Sequence, residues 1–101
     1  MTEMLINLKD YGTCTIKEFA YENGAPAVVI DSSVGHVCVL SVNIPDATFM
    51  LQKGEFFLKS WSENKDIVAE LKYKGIINID GRLVPTGFVN AEIATITWKR
   101  G

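Results

Sequence analysis

His36 and Cys38, two positions apart, come nearest in this chain to a nucleophile with its base. Cysteine catalysis needs a base within hydrogen-bond reach and surroundings that lower the thiol pKa. Side chains two apart on a strand point to the same face, which would bring the pair together. Val37 and Val39 flank Cys38, however, in a run that looks buried on both faces, so a core thiol is the simpler account. The same residues bound the metal chemistry. A structural zinc site takes about four Cys or His ligands at set spacings. One histidine with Cys14 and Cys38, and no C-x-x-C, does not supply them. Neither a metal nor a cofactor is expected.

Glu63, Asp66 and Glu70 lie three and four apart, so successive pairs would share a helix face. Paired carboxylates of that kind could do acid–base work. Nothing in the sequence withdraws them from water, and a solvated helix face is expected. The glycines are dispersed at turns, with no G-x-G-x-x-G and no P-loop. In GRLVPTG, residues 81–87, Arg82 and backbone amides could hold an anion, although a hairpin followed by an edge strand carrying Pro85 explains the segment more simply. The densest group of polar chemistry is KSWSENKDI, residues 59–67. Ser62 or Asn64 suits the N-cap of a helix by accepting from a free backbone N–H, and Trp61 would staple a strand end to the helix start. If a binding surface exists, its candidates are Lys59, Trp61, Glu63, Asn64 and Lys65, with Arg82 contributed from farther along.

The elements that must position these residues follow from periodicity and turn chemistry. Met4–Leu8 is a short apolar strand. Thr13–Tyr21 alternates, with Cys14, Ile16, Glu18 and Ala20 on one side, and is rich in β-branched and aromatic residues that suit a pleated surface. Asn23-Gly24 marks a hairpin, and Pro26–Asp31 returns as its partner. A turn at Asp31–Gly35 leads to a long strand, His36–Ile44, broken by Pro45. Ala47–Gly54 crosses as a loop or short helical turn, and Glu55–Trp61 is a strand with Phe57 opposite Phe56 and Leu58. A helix spans residues 63–73, with Ile67, Val68 and Leu71 as its apolar stripe. Its acids lie early and its lysines late, as the dipole prefers, and Gly75 stands at C′. Ile76–Ile79, Asp80-Gly81 and Arg82–Val84 form a second hairpin signature. Ala91–Trp98 closes the chain as a strand. The expected fold class is α+β, a mostly antiparallel sheet of six or seven strands packed on one main helix.

With 101 residues and no linker or repeat, a single domain over residues 1–101 is expected. A composition of 48% hydrophobic and 22% charged residues is that of an ordinary globular domain. No apolar run reaches the roughly 18 residues of a membrane span. The N-terminal MTEMLINLKD has neither a basic leader nor an apolar stretch, which points to the cytoplasm and to reduced thiols. The net charge is −2 and the basic residues are scattered, whereas nucleic-acid affinity comes from clustered Lys and Arg. Nucleic acid and membrane are therefore not expected partners.

The segments VNIPD (42–46), GEFFLKSWSEN (54–64) and VPTGFVNAEI (84–93) resemble the DUF4313 family of small proteins. The likeness runs from about Tyr21 to Ile93. It implies a setting on phages, plasmids and integrative elements of gut bacteria, alone or beside anti-restriction and other accessory domains, and brings no catalytic residue with it. In that setting a small acidic domain is expected to be a non-enzymatic binding module, an antagonist that binds a host protein of a defence system. The alternative is a binder that sequesters a nucleotide signal, with Trp61 or a tyrosine stacking on the base and Arg82, Lys59 and Lys65 on the phosphates. A small hydrolase or transferase would need a pocket with a perturbed acid or base, which the sequence does not offer. A homodimer could form through an exposed strand edge, with Thr13–Tyr21 and Ala91–Trp98 as the candidate edges.

Overall fold

The computed structural model of the chain describes residues 2–97. Trp98, expected at the end of the last strand, lies outside the described residues. The fold is α+β. Four strands form an antiparallel meander: β1 (Thr2–Leu8), β2 (Gly12–Ala20), β3 (Pro26–Ser32) and β4 (Gly35–Val39). A second antiparallel sheet has the order β5-β7-β6, from β5 (Glu55–Leu58), β6 (Ile77–Thr86) and β7 (Val89–Ile96). The helix α1 (Lys65–Tyr73) follows directly on a 3₁₀ turn at Ser62–Asn64, and a longer 3₁₀ segment covers Pro45–Met50.

Alternation decides the core. Ile6 and Leu8 of β1, Cys14 and Ile16 of β2 and Val28 and Ile30 of β3 face inward. They meet Phe56 and Leu58 of β5 and Ile67, Val68 and Leu71 of α1, so both sheets and the helix close on one apolar interior. The second sheet is covered on its other face too. Phe57, Val84, Ala91 and Ile93 pack there with Ala47 of the 3₁₀ segment, and Trp61, Val42, Ile44 and Leu51 surround them. This explains why Phe56, Phe57 and Leu58 are all buried although they alternate sides.

The long strand expected over residues 36–44 is shorter than its apolar run. It ends at Val39, and residues 40–42 pass from one sheet to the other. The Leu40 amide donates to the Val28 carbonyl (2.8 Å) and the Val42 amide to the Phe57 carbonyl (2.9 Å). The Ser41 hydroxyl accepts from the Val28 amide (2.9 Å) and pairs with the Tyr21 hydroxyl (2.8 Å), replacing the ladder bond that the bend removes. The strand expected over 55–61 likewise stops at Leu58.

Asn23-Gly24 makes the expected hairpin turn, with Gly24 at φ +85°. Asp80-Gly81 does not. β6 runs through it, and Asp80, Gly81 and Arg82 bulge out opposite Ile93, between the pairs Ile79↔Ala94 and Leu83↔Glu92. Gly81 supplies the positive φ (+93°), and the Asp80 carboxylate accepts from the Arg82 amide (3.1 Å), so the local turn is real but the strand resumes. The reversal comes later, at Gly87-Phe88 between Thr86 and Val89, with Gly87 at φ +63°. The two strands expected to offer edges are both interior: β2 lies between β1 and β3, and β7 between β5 and β6.

Candidate functional site

The joint at residues 59–65 holds the fold together. Asn64 is fully buried, and its Nδ2 donates to the carbonyls of Val39 (2.8 Å) and Lys59 (3.0 Å), where β4 and β5 diverge. Its Oδ1 is buried without a partner among the described residues. Neither Ser62 nor Asn64 caps the helix with its side chain, contrary to expectation. The 3₁₀ turn replaces the cap, since the Lys65 amide donates to the Ser62 carbonyl. Ser62 takes φ +61° to make that turn, a conformation unusual for a residue with a Cβ. Trp61 is half-buried and packs on Phe57 and its neighbours. Lys59 Nζ sits 3.1 Å from Glu63 Oε2, and the Glu63 carboxyl is held below the usual range by its own backbone amide and then by Lys59. Lys65 is exposed and makes no ion pair among the described residues. Of the five candidates here, Glu63 and Lys65 are exposed and Lys59 is half-buried beside Glu63.

Arg82 lies on the bulge of β6, its guanidinium held by Asp80 (Nε to Oδ2, 2.8 Å) and by Glu55 of β5. Both carboxyls are held below their usual range, Asp80 by Arg82 and Glu55 by the Gln52 amide and then Arg82. The anion position expected beside Arg82 is thus filled from within the chain, which takes the strongest cation out of the nucleotide constellation.

The His36–Cys38 pair is separated. β3 and β4 pair as Ile30↔Cys38 and Asp31↔His36, with Val37 as the extra residue of a bulge. Cys38 therefore shares the inward face of Ile30, and His36 shares the outward face of Asp31. The expectation of one shared face fails because the bulge resets the alternation. His36 Nδ1 lies 2.9 Å from Asp31 Oδ1, and Lys17 Nζ lies 3.1 Å from Asp31 Oδ2; these bonds hold the Asp31 carboxyl down. Burial pushes the Cys38 thiol up to about 11, and burial also raises Cys14. Neither is a thiolate at neutral pH, the form that attacks carbon. Among the described residues no cluster of three or more His, Cys, Asp or Glu could hold a metal, and no helix is long and apolar enough to cross a membrane.

Two concave surfaces stand out among the described residues. The larger, about 780 Å³, lies between the far end of the β2–β3 hairpin and residues 51–56, with apolar walls that include Phe19, Pro26, Val28 and Leu51. The second, about 530 Å³, lies between the loop joining β1 to β2 and the helix. Its chemistry is more pronounced. Asp66, Ala69, Glu70 and Tyr73 recur at i, i+3, i+4 and i+7, which places them on one stripe of α1, distinct from the apolar stripe. That stripe faces Lys9, Asp10 and Tyr11. Glu70 fastens the two walls, accepting from the Lys9 amide (2.8 Å) and from Lys74 Nζ (2.6 Å), and Lys74 also donates to the Asn7 carbonyl. Those partners, Lys74 first, keep the Glu70 carboxyl below its usual range. Asp10 and Asp66 have no ion-pair partner among the described residues, and Tyr11 and Tyr73 are 48% and 92% exposed. None of Asp10, Tyr11 or Tyr73 was singled out by the sequence. The signal present was an aromatic residue out of phase with the helix's apolar stripe.

Comparison with family models, with curated proteins and with solved structures returns no match, so the likeness to the DUF4313 family rests on the quoted segments alone.

Proposed function

We propose that the chain is a non-enzymatic binding module that works in the cytoplasm by occupying a host protein, with the tyrosine groove as its contact and a basic side chain of the partner as the occupant. The observation that carries this reading is the pairing of two exposed tyrosines with two carboxylates, Asp10 and Asp66, that have no ion-pair partner among the described residues, around one groove. Its lining carries three carboxylates against two ammonium groups, a balance that favours a cation. Tyrosine faces attract Arg and Lys, and Tyr is enriched among the residues that dominate interface energetics. The buried thiols, the divided His36 and Cys38 and the internally neutralised Arg82 argue against the catalytic and nucleotide readings. The family setting supports a defence factor as the host protein.

The test is capture from host-cell lysate with the wild type beside a Tyr11→Ala/Tyr73→Ala double variant. A protein retained by the wild type, released by salt and lost from the double variant supports the reading. Equal capture by both, or no specific capture, overturns it. A thermal shift with cyclic or linear nucleotides would instead favour the sequestering alternative.

A further inference from the structure

The two sheets end in edges that are treated very differently. β6 is guarded: its bulge displaces Asp80–Arg82 from the strand line, it carries an ion pair to Glu55, and Pro85 has no amide to donate. These are the devices by which natural sheets avoid edge pairing. β1 has none of them. Its sequence TEMLINL has no proline, no glycine, no lysine and a single charge, Glu3. It pairs with β2 without a bulge over all seven residues.

The Val28 carbonyl accepts from the Leu40 amide, so Val28 turns its polar groups toward β4 and its partner Glu18 turns its own toward Thr2 of β1. By alternation the polar groups of Asn7 point away from β2, where Lys74 Nζ sits on the carbonyl. Because antiparallel pairs alternate, those of Leu5 and Glu3 point the same way. They have no partner among the described residues. The Leu5 side chain is 73% exposed beside them.

We infer that β1 pairs antiparallel with β1 of a second copy of this chain, about a two-fold axis at Leu5. In that register Leu5 faces Leu5 of the other copy and Glu3 faces Asn7. The three facing pairs would exchange about six main-chain hydrogen bonds and join the two meanders into one continuous sheet. The charges fit. Glu3 arrives at Asn7, where the Lys74 ammonium already sits on the carbonyl, and no like charges face each other across the axis. The Asn7 carbonyl has a second lone pair for the incoming amide.

Sedimentation of the full chain at high micromolar concentration tests this, with Leu5→Lys and Leu5→Pro beside the wild type. The first variant sets two ammonium groups against each other at the axis. The second removes only an outward amide, leaving the ladder to β2 intact. The wild type is expected at the dimer mass, with both variants monomeric and their circular dichroism unchanged. Amide exchange supplies a readout independent of the variants: Glu3 and Leu5 amides should be protected in the concentrated wild type and lose protection on dilution. A wild type that stays monomeric, a Leu5→Lys protein that stays dimeric, or unprotected Glu3 and Leu5 amides at high concentration would overturn the proposal.

Discussion

The two sheets are built from similar alternating strands, yet the first buries one face and the second buries both. On the first sheet the outward positions are Leu5, Thr15, Lys17, Asp31 and His36, with an ion cluster at its centre. On the second, the 3₁₀ segment and Trp61 close over Phe57, Val84 and Ile93. The difference arises between the sheets rather than within them. The chain from Val42 to Gly54 has to reach β5 from the bend at Ser41, and it crosses the outer face of the second sheet on the way. A cover that the second sheet obtains from a connection, the first lacks among the described residues, so its outer face and its β1 edge are exposed there.

The largest effect that would sharpen this contrast is Phe57→Ala. If the outer face of the second sheet is true core, the loss should be about 3–5 kcal/mol in denaturant unfolding. A change under about 1 kcal/mol would reduce that face to ordinary surface. Asn64 tests the seam between the sheets. Asn64→Ala orphans the Val39 and Lys59 carbonyls and should cost about 1–3 kcal/mol. Asn64→Asp should cost more at neutral pH, because a carboxylate there donates to neither carbonyl and is buried without a counter-ion. Burial raises that carboxyl's folded pKa, so the Asn64→Asp protein should recover stability relative to wild type as pH falls and the acid regains a proton to donate.

The native carboxyls carry the opposite sign. Asp31 on the first sheet, Glu55 and Asp80 on the edge of the second and Glu63 and Glu70 beside the helix all have folded pKa values below their unfolded ones. Their stabilisation is complete above the unfolded values of about 4 and is lost as pH falls through the folded ones. The melting temperature should therefore hold steady from neutral pH to about 5 and decline below about 4; a maximum in the acid range would contradict these pairings. The smallest effect closes the comparison. Leu5→Ala, on the bare face, should change the stability of the monomer by no more than about 0.5 kcal/mol, and a loss near that of Phe57→Ala would abolish the distinction between the faces.

Much of this was legible in the residues. The alternation of Cys14 and Ile16, the stripe Ile67, Val68 and Leu71 and the turn at Asn23-Gly24 all appear where local pattern places them. Asp80-Gly81 shows the limit of such a signal. It has the same chemistry as Asn23-Gly24 and the same positive φ at glycine, and yet the strand continues beyond it. The candidate site was less legible. Asn64 looked like a cap or a surface amide and is the most enclosed polar side chain of the joint. The groove joins residues 9–11 to 66–74, about sixty positions apart, and no window of sequence contains both walls.

The sequence alone determined most of the strands, the helix with its apolar stripe and the places where glycine permits a turn, because these depend on spacing and on φ, ψ preferences that act over a few residues. The tertiary structure decided which strands are edges, that His36 and Cys38 look to opposite faces, that Asn64 binds two carbonyls, and that Tyr11 meets the helix stripe of Tyr73. Those outcomes depend on which distant strands find hydrogen-bond partners and on where a bulge resets the register, and both are settled only when the whole chain buries its apolar faces together.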